Sequence, residues 1–115
     1  MIQRDRLVND FEAMSKLTAP GEGINRLAFT DADWAGRQYI MDRMVDAGLT
    51  VETDGFGNVI GYKLGKNPEL PVVMVGSHTD SVPNGGNYDG VVGVLSAIEA
   101  VRSMTEDNVE HDHTI

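Results

Sequence analysis

Pro71-Val72-Val73-Met74-Val75-Gly76-Ser77-His78-Thr79-Asp80 is the stretch on which the fold turns. Its first half is a continuous apolar run. A half-exposed strand alternates apolar with polar residues, and this one does not, so the run predicts a strand buried on both faces of a parallel or mixed sheet. Its second half turns polar and opens a glycine-rich loop, Ser77 to Tyr88. Open α/β sheets gather ligand-binding groups just beyond the carboxyl ends of their strands. His78, Thr79 and Asp80 occupy that position.

Outward from this strand the punctuation is regular. After the loop, Val91, Val94, Leu95, Ile98 and Val101 give a helix with a wide apolar face. Before it, Thr50–Thr53 and Asn58–Leu64 read as two short strands joined by Asp54-Gly55-Phe56-Gly57, a hairpin. Thr30 followed by Asp33 resembles a capping box opening a second helix, with Trp34, Ile40, Met41, Met44 and Val45 as its apolar side and Gly48 as its stop. Residues 2–17 carry Leu7, Phe11 and Met14 at helical spacing, and Ala19-Pro20-Gly21-Glu22-Gly23 ends that helix. Glu106-Asp107-Asn108 is turn-like, and 110–115 reads as the lead-in to a further strand. The order predicts an α/β fold, helices packed on a mixed, mostly parallel central sheet, in one domain over 1–115 that is cut short.

Bulk properties exclude several functions. Eighteen acidic residues against nine basic ones give a net charge of -9, with no basic run, which argues against nucleic acid or an anionic membrane as partner. With no cysteine there is no disulfide, thiolate metal site or cysteine nucleophile. The first 17 residues mix charges among apolar residues, unlike a signal peptide, and no apolar run approaches the roughly 20 residues of a membrane span. A cytoplasmic protein is the expectation.

The chemistry concentrates in residues 76–90. His78 and Asp80, two apart, share one face of an extended backbone. A histidine that ligates a metal through one ring nitrogen usually gives its other N–H to a carboxylate or carbonyl. Asp89 follows Gly85-Gly86 and stands at the start of the third helix, and a carboxylate has two oxygens with which to bridge two ions. Gly85, Gly86 and Gly90 allow tight folding around such a centre. Each piece alone has a plainer reading: a hydrogen-bonded structural histidine, an aspartate cap, an ordinary loop. Their order after an apolar strand is harder to obtain by accident.

Gly76-Ser77-His78-Thr79-Asp80, followed by Gly85-Gly86-Asn87-Tyr88-Asp89-Gly90-Val91-Val92-Gly93-Val94, resembles the first metal-binding motif of the aminoacylase and carboxypeptidase-like metallohydrolases. The close Gly-Gly-Asn-Tyr-Asp-Gly spacing is similar to the branch of N-carbamoyl-L-amino-acid hydrolases and allantoate amidohydrolases, the hydantoinase/carbamoylase branch. Asn25-Arg26-Leu27-Ala28-Phe29-Thr30 and Asp54-Gly55-Phe56-Gly57-Asn58-Val59 resemble the same branch. The resemblance implies the N-terminal part of a two-metal catalytic domain, with His78 a terminal metal ligand and Asp89 the bridge between two metals. Asp80 enters the catalytic set as the carboxylate that orients His78. It also implies two divalent ions in the full-length enzyme (zinc, or manganese, cobalt or nickel), a small ureido or carbamoyl substrate whose C–N bond is hydrolysed, and a homodimer. The family's acidic pair, which holds the general base, and its remaining histidine ligands lie further on than Ile115. Glu99, Glu106 and Glu110 do not match that pair, and the pattern gives His111 and His113 no role. The 115-residue chain is therefore expected to be inactive alone. A related metallopeptidase or aminoacylase, or a non-catalytic module with a vestigial metal site, are the other readings.

Overall fold

The computed structural model describes all residues, Met1–Ile115. Three helices and one hairpin form in the order α1 (Arg4–Ser15), α2 (Asp31–Asp46), β1 (Thr50–Thr53), β2 (Val59–Tyr62) and α3 (Val91–Glu106). The α/β class expected from the sequence holds. The caps behave as their residue types require. The Thr30 hydroxyl accepts the Asp33 N–H at 3.4 Å, and the Asp33 carboxylate reaches back to the N–H of Phe29 rather than of Thr30. Gly48, at φ 85°, closes α2 in the left-handed region that glycine enters without strain.

Met14 from α1, Ile40 from α2, Ala47 just past its end, and Val91, Val94, Leu95 and Ile98 from α3 make one core. The wide apolar face of α3 is covered where Val91, Leu95 and Ile98 stand, each at most 2% exposed. The α1 and α2 helices supply that cover. Trp34 and Val45 of the expected α2 apolar side remain exposed instead.

Ion pairs fasten the helices around this core. Glu99 on α3, 1% exposed, accepts from the Arg6 guanidinium at 2.8 and 2.9 Å, from the Gln3 N–H at 2.8 Å and from the Ser103 hydroxyl at 3.2 Å. Burial alone pushes its carboxyl upward, and the Arg6 and Gln3 hydrogen bonds outweigh that, leaving it below its ordinary value. On the same side, Asp10 joins Arg102 at 3.5 Å and the Tyr39 hydroxyl at 2.7 Å. Burial first, then that bond to Asp10, pushes the Tyr39 phenol up to about 12.

The central sheet departs from expectation. The only ladder is the antiparallel hairpin, with Thr50 opposite Tyr62 and Thr53 opposite Val59. Residues 71–76 form no strand, and Val72, Val73, Met74 and Val75 are between 52% and 84% exposed. An apolar run describes the surroundings a strand is suited to, while burial comes from neighbours on both edges and both faces. Here the neighbours are few. Val73 donates to the Thr114 carbonyl at 2.9 Å, and Lys63 and Ile115 exchange both backbone bonds, at 2.8 and 3.1 Å. Thr114 and Ile115 thus bond to both the end of β2 and the 71–76 segment, though 110–115 forms no strand. Beyond them a cavity of about 810 Å³ separates β2 from residues 72–76, floored by Ile40, Met44, Val94 and Ile98.

Replacing Glu99 by alanine should cost about 1–3 kcal/mol, because it removes the acceptor of the Gln3 N–H and the Ser103 hydroxyl and leaves Arg6 with Glu106 alone. Urea unfolding at neutral pH measures this. Glu99 and Glu106 are both held below their ordinary pKa, Glu106 chiefly by its hydrogen bond to Arg6. A depressed carboxyl contributes stability above its unfolded value and loses it as pH falls through the folded one. The melting temperature should therefore stay level above about pH 5 and fall below the ordinary glutamate value of 4.5.

Candidate metal centre

The site is built where residues 76–78 meet the start of α3. Two glycines make that meeting possible. A Cβ on Gly93 would lie 2.8 Å from the Ser77 Cβ, and one on Gly90 would lie 2.4 Å from the His78 carbonyl oxygen and 2.5 Å from its ring. Gly90 also has φ +70°, a conformation that a side chain would strain. Gly85 is tight against Ser81 and Val82, whereas Gly86 has open space and no special conformation.

This packing sets the His78 ring between two carboxylates. Its Nδ1 lies 3.0 Å from the Asp80 carbonyl oxygen and 3.3 Å from Asp80 Oδ1. Both are acceptors, and both are nearer than the Asp89 carboxylate is to Nε2, so the geometry favours the tautomer with its hydrogen on Nδ1. The lone pair of Nε2 then faces Asp89, whose Oδ2 is 3.7 Å away. Asp89 is not a helix cap: Gly90 holds that position, and no side chain caps α3. His78 is half exposed and Asp89 more so, which leaves the gap between them open to solvent.

The three residues singled out in the sequence are thus brought together in the expected sense, with Asp80 on one ring nitrogen and Asp89 toward the other. One imidazole nitrogen and one carboxylate, both oriented, suit a borderline divalent ion. No group of three or more potential ligands forms. His111 and His113 are turned to backbone carbonyls of His113 and Pro71. Glu106 and Glu110 pair with Arg6 and Lys66, and Glu99 is buried in its ion pair.

Local residues not singled out as site residues from the sequence support the loop. Ser81 donates its N–H to the Arg26 carbonyl and its hydroxyl to the Ile24 carbonyl, and accepts from the Arg26 N–H. Ile24 and Gly85 exchange both backbone bonds, at 3.0 and 2.8 Å. The signal was present in Asn25-Arg26, conspicuous as a motif but without an evident role.

No protein-family model matches the chain. It is 45% identical over 115 residues to an N-carbamoyl-L-amino-acid amidohydrolase from Pseudomonas sp. (strain NS671), covering 99% of this chain and 28% of that protein. It is 46% identical over 99 residues to a ureidoglycolate hydrolase from Arabidopsis thaliana, covering 85% of this chain and 21% of that one. Among solved structures it superposes on a hydantoinase/carbamoylase family amidase from Burkholderia multivorans with a TM-score of 0.93 at 40% identity, covering 99% of this chain and 28% of that one. A counterpart from Burkholderia ambifaria gives 0.92 at 36%, again with 28% of its length covered. The chain therefore spans between about a fifth and little more than a quarter of the length of these relatives.

Gly90→Ala should destabilise the protein by at least about 1 kcal/mol from the left-handed backbone alone. It should also displace the His78 ring. Urea unfolding and the His78 imidazole resonances measure the two effects in one variant.

Proposed function

This chain belongs to the hydantoinase/carbamoylase family of amidohydrolases over the stretch it covers, and from that premise we propose that it carries part of a divalent metal centre for hydrolysing carbamoyl or ureido C–N bonds. The observation that carries the reading is His78 held by Asp80 at Nδ1 with Nε2 turned to Asp89. His78 Nε2 and the Asp89 carboxylate would hold the ion. When bound, such an ion polarises a scissile carbonyl and lowers the pKa of water.

The chain's own residues do the preparatory work. Asp80 keeps hydrogen on Nδ1, which frees Nε2 as a donor. Asp89 contributes negative charge opposite it and has a second oxygen free for a second ion. Catalytic zinc sites typically use three protein ligands, and this chain assembles two. The 115 residues alone bind metal weakly in this reading and do not turn over substrate.

Calorimetric titration of zinc or manganese into the protein tests the assignment. Binding should be measurable and should be lost in His78→Ala and in Asp89→Asn. Equal binding by all three proteins would refute it. Incubation with an N-carbamoyl amino acid and metal should release no ammonia above the protein-free rate, and metal-dependent release would show that the 115 residues hold a complete site.

A further inference from the structure

Arg26 is 1% exposed, yet it has no carboxylate partner within hydrogen-bonding distance. A buried guanidinium is costly unless its donors are met. Backbone carbonyls meet those of Nε and Nη1 here. Nη1 donates to Met14 and Leu17, at 2.9 and 2.7 Å, in the last turn of α1 and just beyond it. Nε donates at 2.7 Å to the carbonyl of Thr79, the residue between His78 and Asp80. A cation beside the carbonyls at a helix C-terminus is electrostatically favoured, which anchors one side of the guanidinium on a rigid element. Its other side therefore fixes a peptide group of the site loop.

Two further features show that this seat is built. Gly36 lies in the interior of α2, where glycine weakens a helix. A Cβ there would stand 2.8 Å from Arg26 Cδ, so the missing side chain is the space Arg26 occupies. The backbone flanking Arg26 is also tied to the loop: Asn84 N–H donates to Asn25 Oδ1 at 2.9 Å, and Ser81 N–H donates to the Arg26 carbonyl at 2.8 Å.

We propose that Arg26 is a positioning residue of the His78 centre, transmitting the fixed end of α1 through the Thr79 carbonyl to the peptide that joins His78 and Asp80. The proposal deepens the metal-site reading and rests on it for its consequence, though the positioning itself is independent of metal. Arg26 does not touch the ion or substrate. Its role is to keep Asp80 on the Nδ1 side of the ring, so that Nε2 stays turned to Asp89.

The variants are Arg26→Lys, which keeps charge but loses the fork, and Gly36→Ala, which crowds Arg26 while improving helix propensity and so guards against a simple failure to fold. His78 is read in metal-free protein at one alkaline pH by its imidazole nitrogen resonances, which report which nitrogen carries hydrogen. The 115-residue protein should show hydrogen on Nδ1. Both variants, checked for native helix content by circular dichroism, should shift toward hydrogen on Nε2. Zinc affinity should fall about tenfold to a hundredfold, the usual effect of losing a group that orients a ligand. Folded variants with an unchanged His78 tautomer would overturn the proposal, as would a parent protein already carrying hydrogen on Nε2. A tautomer shift in the variants with no His78-dependent zinc binding in the parent would uphold the positioning role and remove the metal reading alone.

Discussion

The contact of α3 with the backbone of Ser77 and His78 is the constraint on which the site depends. Gly90 and Gly93 stand three apart, on adjoining positions of the first helical turn, and each leaves space that the incoming segment fills. Without that approach, Asp89 and His78 would belong to separate surfaces. With it, a carboxylate at the helix entrance and an imidazole at the end of an extended segment come within 3.7 Å. The glycines destabilise the helix start slightly, and burial of Val91, Leu95 and Ile98 a turn further on offsets this.

Electrostatics divides the molecule. On the side of α1 away from the loop, acidic and basic groups neutralise one another: Arg6 with Glu99 and Glu106, and Arg102 with Asp10. At the site, two carboxylates flank one imidazole with no lysine or arginine in direct contact. A protein of net charge -9 has every reason to pair its acids, so carboxylates left oriented and unpaired around a histidine favour an incoming cation. Arg26 lies behind the loop rather than in the site. Burial lowers its pKa, while the charges of Asp33 and Asp80 pull it back upward.

The hairpin turn shows how a short segment can be self-sufficient. Asp54 Oδ1 accepts the N–H groups of Phe56, Gly57 and Asn58, and Asn58 donates its side-chain amide to Oδ2. The bonds from Asn58 come first in holding that carboxyl below its ordinary value. Arg37 reaches the Gly57 carbonyl from α2 while lying over the Trp34 ring at 4.9 Å, which locks the turn to the helix. By contrast, 71–76 has no such local closure. Its backbone groups wait on neighbours distant in sequence, and His113 and Thr114 supply one each.

Local chemistry was legible from the residues themselves. Thr30 and Asp33 marked the start of α2, Gly48 its end, and Asp54 to Gly57 the hairpin, because caps and turns are satisfied by atoms a few positions away. The spacing of His78 and Asp80 put them on one face, since a two-residue step fixes which face a side chain takes, and the resemblance added Asp89 to the candidate site. Tertiary structure decided the rest. The apolar composition of 71–76 signalled a buried strand, but burial is a property of neighbours, and these residues lie exposed beside a cavity. Nothing in the spacing told that Arg26 would cross to Thr79, or that Gly36 would make room for it, because both depend on contacts between segments far apart in the chain. The sequence by itself determined where the backbone turns and which groups were candidates for chemistry; only packing between separated segments decided which ring nitrogen meets which carboxylate.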